Sequence, residues 1–160
     1  MKSTLPWLRI LWITFVLAVP GVILYGYFPK IFECPACYLF EDGGDGLKNY
    51  YTLDYYVKHD SGWHFSGMNY PYGENIIYTD NQPILALTLQ WIDRHIIDMD
   101  RHIIGTLNML MLLSIYFAVL ILYKLLRRWS VGKWWALASA IGITFLSPQL
   151  WRLQGHYGLS

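Results

Sequence analysis

Long apolar runs dominate the pattern of hydrophobic and polar positions along this chain. A helix needs roughly 17 to 25 mostly apolar residues to cross a bilayer, where every backbone polar group must be satisfied internally. The runs 10–28 and 103–123 meet that length. A third run, 134–151, is weaker because Ser147 and Pro148 interrupt its end. The pattern therefore predicts an all-α membrane protein with three transmembrane helices.

Composition agrees with this pattern, since 55% of the residues are apolar and 18% are aromatic. Both values lie above the average for soluble domains. Basic residues before the first run, Lys2 and Arg9, also occur in cleaved signal peptides. However, the run is longer than a usual signal core and no small-x-small site follows it, so we predict an uncleaved anchor.

Charge predicts the orientation, because lysine and arginine near span ends are retained in the cytoplasm. Basic residues flank the runs at Lys2, Arg9, Lys124, Arg127, Arg128 and Lys133. All 11 acidic residues lie between Glu33 and Asp100. We therefore expect the acidic segment to lie outside the membrane, and nothing in the chain resembles a nucleic-acid-binding patch. The predicted cytoplasmic segments are 1–9 and 124–133, and the predicted periplasmic segments are 29–102 and 152–160.

The predicted outer loop, 29–102, is too long for a simple connection and too aromatic to be disordered. Tyrosines recur in it at helical spacing before a stop at Gly62, and Pro83 begins a second apolar stretch. Tyrosine suits the membrane surface because its ring is apolar and its hydroxyl is wet. We therefore predict two interfacial helices, at about 46–59 and 83–97, joined by a turn-rich aromatic segment.

The first candidate for chemistry is a glycine-rich acidic turn, Glu41-Asp42-Gly43-Gly44-Asp45-Gly46. A carboxylate held within hydrogen-bond reach of a hydroxyl can act as a general base. Flanking glycines let a backbone approach a substrate closely. A solvated turn in which Asp45 caps the following helix explains the same residues, so spacing alone leaves both interpretations open.

The order of these elements resembles a known family. A span, an acidic turn, a surface helix, an aromatic loop with Tyr70-Pro71-Tyr72-Gly73, a proline-initiated helix and another span follow one another. This order is similar to the N-terminal part of a membrane glycosyltransferase of the C-type fold. The resemblance covers most of the chain, but it rests on architecture and a few residues. That superfamily has many more spans, so the chain is expected to be a fragment that is inactive alone.

The resemblance implies a protein of the bacterial inner membrane. It would transfer a sugar from a polyprenyl-phosphate carrier to an acceptor on the outer face, with membrane lipids as the other partner. Carried over by position, Asp45 is the expected catalytic base and Asp42 the second choice. Lys48 is expected to meet the lipid phosphate. His156 is expected to contribute to substrate binding, although an interfacial histidine is the simpler interpretation. Some family members use a divalent metal ion at the acidic turn, so a metal is left open and no ligands are assigned.

A cysteine pair, Cys34-Pro35-Ala36-Cys37, follows the first run in a compartment where disulfides persist. This spacing occurs in redox motifs. No second pair is present to pass electrons through the membrane, so a local disulfide is the favoured interpretation. Two rival functions follow from the sequence: a membrane thiol oxidoreductase, and a non-enzymatic subunit whose aromatic loop binds a partner or a lipid.

Two triplets, Asp93-Arg94-His95 and Asp100-Arg101-His102, recur at an interval of seven residues. Seven residues make about two helical turns, so a continuous helix would present both triplets on one face. His95, Asp98 and His102 would then be able to ligate a metal ion. Ion pairing within a charged surface segment explains the triplets more simply.

One amide, Asn108, interrupts the second apolar run near its start. Polar side chains in lipid seek buried hydrogen-bond partners. We therefore predict a hydrogen bond from Asn108 to a neighbouring helix, which is a structural role and no sign of chemistry.

Overall fold

The computed structural model describes residues 6–41, 44–79, 82–148 and 150, and this part of the chain is mostly helical. The α-helices are α1 (Pro6–Tyr27), α2 (Pro29–Glu33), α3 (Gly44–His59), α4 (Pro83–His95), α5 (Ile103–Arg128) and α6 (Lys133–Phe145). A two-stranded antiparallel hairpin, β1 (His64–Phe65) and β2 (Glu74–Asn75), precedes a 3-10 helix at Ile76–Tyr78. The described residues form two compact units, a first unit of 6–33 and 110–147 and a second unit within 34–109.

Two helices of the described residues, α1 and α5, are long and apolar enough to cross a membrane. They contain 22 and 26 residues, which correspond to about 33 and 39 Å of helix against a hydrocarbon layer of about 30 Å. The first two predicted spans are therefore present as candidate spans. The helix α5 begins at the predicted residue but continues past 123 to Arg128.

The third predicted span is not confirmed. The helix α6 has 13 residues and ends at Phe145, whereas the apolar run predicted a helix to residue 151. A helix of that length measures about 20 Å, which is too short for the hydrocarbon layer. The chain turns at Leu146, whose N–H still bonds Gly142 O, and Pro148 follows closely. Proline disfavours helical conformation in the residue before it, which explains why α6 does not continue through Ser147. Residues 149 and 151 of the predicted span lie outside the described residues.

Aromatic contacts hold α1 against α5 and α6 in the first unit. The Trp12 indole donates to the Tyr123 hydroxyl at 2.7 Å, and the Tyr116 hydroxyl donates to Leu17 O at 2.9 Å. Trp12 also meets Trp134 edge-on, with ring centroids 4.4 Å apart. The Trp12 indole and the hydroxyls of Tyr116 and Tyr123 thus each have a polar partner, as is usual for such groups in apolar surroundings.

The second unit is built on α3 and α4, close to where the two interfacial helices were predicted. Tyr50, Leu53 and Tyr56 are buried, whereas Leu47 and Tyr51, which carried the predicted spacing, are 43% and 44% exposed. Tyrosines occur on both faces of α3, so periodicity alone does not tell which of them packs inward.

The helix α4 ends earlier than predicted, at His95 instead of residue 97. The Asp93 carboxylate accepts a hydrogen bond from Met99 N at 2.7 Å and so stabilises a turn after the helix. Residues 96–102 are not helical. The prediction that His95, Asp98 and His102 share one helical face is therefore wrong.

Candidate functional site

The acidic turn leads directly into α3. The helix begins at Gly44, whose φ of +57° lies in the left-handed region that favours glycine. Asp45 is exposed in the first helical turn, after the position that a capping residue takes. A carboxylate there is favoured by the partial positive charge of a helix N-terminus. The structure therefore presents the Asp45 carboxylate to the surroundings on a fixed piece of backbone.

The other residues predicted for this site are placed only in part. Lys48 is half-buried on α3, three residues after Asp45, so both project from the same side of the helix. Asp42 and His156 lie outside the described residues. The structure thus brings together Asp45 and Lys48 of the predicted set.

Glu41 is a residue of the same turn that the sequence analysis did not select. Its Oε2 is buried and has no hydrogen-bond partner among the described residues. A Cβ at Gly44 would lie 3.9 Å from Glu41 Oε1, so the carboxylate lies beside the start of α3. A buried carboxylate oxygen without a donor is unfavourable, and such an atom in a native fold calls for a ligand, a cation or a water. The sequence signal was its position in the acidic run, but burial cannot be read from that run.

A buried network fixes the chain just before the acidic turn. The Tyr50 hydroxyl accepts from Phe40 N at 3.2 Å and donates to Asn108 Oδ1 at 2.5 Å. The Asn108 amide donates to Pro35 O at 2.8 Å and to Tyr38 O at 2.7 Å. Asn108 lies in the second turn of α5, so the segment 35–40 is bound to the beginning of a candidate membrane span. The acidic turn starts at the next residue.

The predicted helix-to-helix role of Asn108 is thus only half right. One of its bonds does reach a helix residue, Tyr50 of α3, but the other two go to loop carbonyls at Pro35 and Tyr38. Its side chain is fully buried. All of its polar atoms are therefore used to shape the segment that leads into the acidic turn.

The cysteine pair belongs to this same segment. Cys34 and Cys37 form a disulfide with their Cα atoms 5.3 Å apart. The turn that it closes packs on α5, since a Cβ at Gly105 would lie 3.2 Å from Ala36 N and 3.3 Å from Pro35 Cβ. A glycine at residue 105 lets the two backbones approach closely. This arrangement suits a local staple, as the favoured interpretation of the motif expects.

A second polar centre surrounds Asp60, which follows α3. Its carboxylate accepts from Ser66 N at 2.8 Å and from Ser66 Oγ at 2.7 Å, and its carbonyl accepts from Arg94 at 2.7 Å and from the Gln90 amide. These bonds join the end of α3 to α4 and to the hairpin. Every acceptor is used by the protein itself, so this centre organises the fold.

The same centre affects Tyr56, whose side chain is fully buried. Burial raises the pKa of Tyr56 above its ordinary value of 10.0 and outweighs the opposing effects of Gln90 and Arg94, while Asp60 raises it further. Its hydroxyl donates to Gly62 O at 2.6 Å. The neutral phenol is therefore the form that the fold holds.

A third group contains three carboxylates. Asp93, Asp98 and Asp100 each offer an oxygen, and these oxygens lie within 4.8 Å of one another. Asp98 and Asp100 are exposed, and the carboxylates of Asp93 and Asp98 accept backbone N–H groups of the turn after α4. These hydrogen bonds stabilise the turn after α4. His95 and His102, which were candidate metal ligands, do not belong to this cluster.

Comparison with known proteins gives one match. Residues 14–160 match a family described as Domain of unknown function (DUF6311). The chain belongs to the DUF6311 family. No curated protein and no solved structure matches it. The DUF6311 match includes the acidic turn, α3, α4 and α5, so the whole described candidate site lies inside the family's domain.

Proposed function

We propose that this DUF6311 chain is the N-terminal part of a membrane glycosyltransferase that takes a sugar from a polyprenyl-phosphate carrier and transfers it to an acceptor on the outer face. One observation carries the proposal. The acidic turn is held at the beginning of a candidate membrane span by the bonds among Phe40, Tyr50 and Asn108. A lipid-linked sugar would present its reacting carbon at the membrane surface, close to a carboxylate in this turn.

The depth of the network supports this argument. Asn108 lies five residues after the start of α5, which corresponds to about 8 Å along the helix. Its polar atoms are all used by the segment 35–40 and Tyr50, and beyond it α5 is almost entirely apolar. The donor's phosphate must stay in the polar headgroup layer while its polyprenyl chain stays in hydrocarbon. We therefore expect the acidic turn to lie at the boundary between these two layers.

The exposed faces of α3 and α4 support a location on the membrane surface. Leu47 and Tyr51 of α3 are exposed, and Ile84 and Trp91 of α4 are 84% and 55% exposed. Apolar and aromatic side chains on one face are typical of helices that lie in the interfacial layer. The basic residues that flank the candidate spans support an orientation with the second unit outside.

The proposed chemistry assigns Asp45 as the base. Its carboxylate takes the proton from the acceptor hydroxyl while that oxygen bonds to the anomeric carbon of the sugar. The bond from the anomeric carbon to the phosphate oxygen breaks, and polyprenyl phosphate leaves with the electron pair. Lys48, on the same side of α3, offers an ammonium group to the phosphate.

Glu41 has a different role in this proposal. Its buried Oε2 lacks a donor among the described residues, and a hard carboxylate oxygen is a good ligand for a divalent cation. Such an ion would supply charge neutralisation for the leaving phosphate. Glu41 would hold the ion at one edge of the turn, and Asp45 would act as the base.

Site-directed variants test the proposal in the protein that the gene encodes, purified in detergent. The assay measures release of polyprenyl phosphate from a panel of undecaprenyl-phosphate monosaccharides. Asp45→Asn should lower the rate at least a hundredfold, since general-base catalysis contributes about 10²–10⁴-fold. Glu41→Gln should also lower it. Asp54→Asn, which removes an exposed acid of the same helix paired with Lys58, should leave the rate unchanged. Equal rates for Asp45→Asn and Asp54→Asn would contradict the assignment of the base.

A further inference from the structure

The loop and hairpin after α3 form an open groove of about 370 Å³. That volume falls in the range of about 300–1,000 Å³ that small-molecule sites occupy. Its lining consists of Ser61, Trp63, His64, Glu74 and Asn75. All of these residues belong to the second unit, and none belongs to the acidic turn.

We propose that this groove binds a single pyranose ring, with Trp63 as a stacking surface and Glu74 and Asn75 as partners for the hydroxyls. The Trp63 side chain is 57% exposed, which leaves an indole face available at the groove. A pyranose has a face of C–H groups, which packs on an aromatic ring, and a rim of hydroxyls, which needs hydrogen-bond acceptors and donors. The groove supplies both kinds of contact side by side.

The polar groups of the groove are already oriented. Glu74 Oε2 accepts from Asn69 Nδ2 at 2.7 Å, and no described residue donates to Glu74 Oε1. Asn75 Oδ1 accepts from Ile77 N at 3.0 Å, which points the Asn75 NH₂ away from the backbone. Side chains that are fixed before binding lose little entropy when a ligand arrives. One carboxylate acceptor and one amide donor thus remain for hydroxyl groups.

The wall of the groove is fixed by close packing. A Cβ at Gly73 would lie 2.5 Å from His64 Cε1 and 2.8 Å from Phe65 O, so the imidazole lies directly over the Gly73 backbone. Gly73 also has a φ of +67°, which favours glycine. On the other side of β1, Phe65 is fully buried and anchors the strand. The groove is therefore a built feature of the hairpin.

The polar groups in the lining favour a sugar over the membrane as the occupant. The neighbouring aromatic side chains Tyr70, Tyr72 and Tyr78 are 93%, 85% and 81% exposed and suit a lipid surface. The groove itself contains a carboxylate, an amide and an imidazole, and a carboxylate facing lipid would lose its hydration. This inference goes beyond the proposed function, because recognition of a sugar in this groove needs neither the acidic turn nor a transfer reaction.

Binding of simple glycosides to the full chain in detergent micelles tests the proposal. The probes are methyl β-glucopyranoside, methyl β-galactopyranoside, methyl α-mannopyranoside and methyl N-acetyl-β-glucosaminide. Saturation-transfer NMR measures the binding of each probe. We expect millimolar binding of at least one probe. Trp63→Ala should weaken it about tenfold, and Trp63→Phe should restore most of it, because the ring supplies the stacking contact. Glu74→Gln, which keeps an acceptor for Asn69, should weaken binding severalfold.

Two controls separate this site from the alternatives. Tyr78→Ala removes an exposed aromatic ring outside the groove and should leave glycoside binding unchanged. Asp45→Asn should also leave it unchanged, so a loss of transfer with binding retained would concern the acidic turn alone. The proposal is overturned if no probe binds, or if Trp63→Ala binds the probes as the unaltered chain does. It is also overturned if Trp63→Ala loses affinity only for phosphatidylethanolamine and phosphatidylglycerol vesicles, since the groove would then be a lipid contact.

Discussion

The Tyr50 hydroxyl donates a hydrogen bond to Asn108 Oδ1 across a sequence separation of 58 residues. Both side chains are buried, at 3% and 0% exposed. The bond joins α3 to the beginning of α5, and the same amide holds the segment after the disulfide. The position of the acidic turn therefore depends on one amide near the start of a largely apolar helix.

Replacement of that amide should destabilise the protein strongly. Asn108→Leu leaves the Tyr50 hydroxyl and the carbonyls of Pro35 and Tyr38 without a donor or acceptor in a buried place. We expect a loss of about 3 kcal/mol in the free energy of unfolding. Denaturant unfolding in detergent micelles measures it. Ser114→Ala removes a hydroxyl from the same helix and should change stability by no more than about 0.5 kcal/mol. Equal losses of stability in the two variants would show that the hydrogen bonds of Asn108 contribute no more to stability than the Ser114 hydroxyl does.

Two helical glycines should respond in opposite ways to alanine. Gly105→Ala places a Cβ 3.2 Å from Ala36 N, in a turn that the disulfide and Asn108 hold, so it should destabilise the fold by about 1–3 kcal/mol. Gly142→Ala in α6 has nothing within 4 Å and should gain up to about 1 kcal/mol. Melting temperatures of the two variants, measured in one detergent, test both predictions. A stabilised Gly105→Ala protein would mean that the cysteine turn does not pack on α5.

Stability should fall at high pH because of Tyr56. Burial raises its pKa in the folded state above 10.0, so the neutral phenol contributes stability that is fully present below about pH 10. That contribution is lost as pH rises through the folded pKa, because the unfolded chain loses its proton first. Tyr56→Phe should reduce the slope of stability against pH above 10, whereas Tyr70→Phe, at an exposed tyrosine, should not. An unchanged slope in Tyr56→Phe would contradict the burial argument.

The sequence predicted the helices of this fold better than their contacts. Tyrosine spacing and Pro83 located α3 and α4 to within two residues at each end. These signals come from residues close together in the sequence, so they can be read without knowing the tertiary contacts. The buried face of α3 was not predicted, because the choice between Tyr50 and Tyr51 depends on the distant Asn108.

The differences at the ends of α4 and α6 come from turn chemistry close to those ends. Apolarity continued past Phe145, but Pro148 favours a turn there. The triplets at His95 and His102 have helical spacing, but the Asp93 carboxylate stabilises a turn between them. The importance of Glu41 was also missed, since the burial of one oxygen depends on packing that no local pattern reports.

The two native cysteines give a direct test of orientation, since the chain contains 2 cysteines, Cys34 and Cys37. Intact cells are treated with a membrane-impermeant phosphine and then with a membrane-impermeant maleimide. We expect labelling in intact cells only after the phosphine, because the pair is an outer disulfide. Labelling that requires cell lysis would place the second unit inside. Labelling without the phosphine would indicate a pair that cycles, as the thiol oxidoreductase rival expects.

Sugar transfer itself tests the account most directly. The full protein in phospholipid vesicles receives each undecaprenyl-phosphate monosaccharide with a radiolabelled sugar, and release of undecaprenyl phosphate is followed over time with membrane extracts as the source of acceptor. The account predicts release from one donor, with the label moving to an acceptor product and with Asp45→Asn inactive although folded. Intact donors throughout the panel, in a protein whose folding is verified by its melting transition, would contradict the glycosyltransferase proposal.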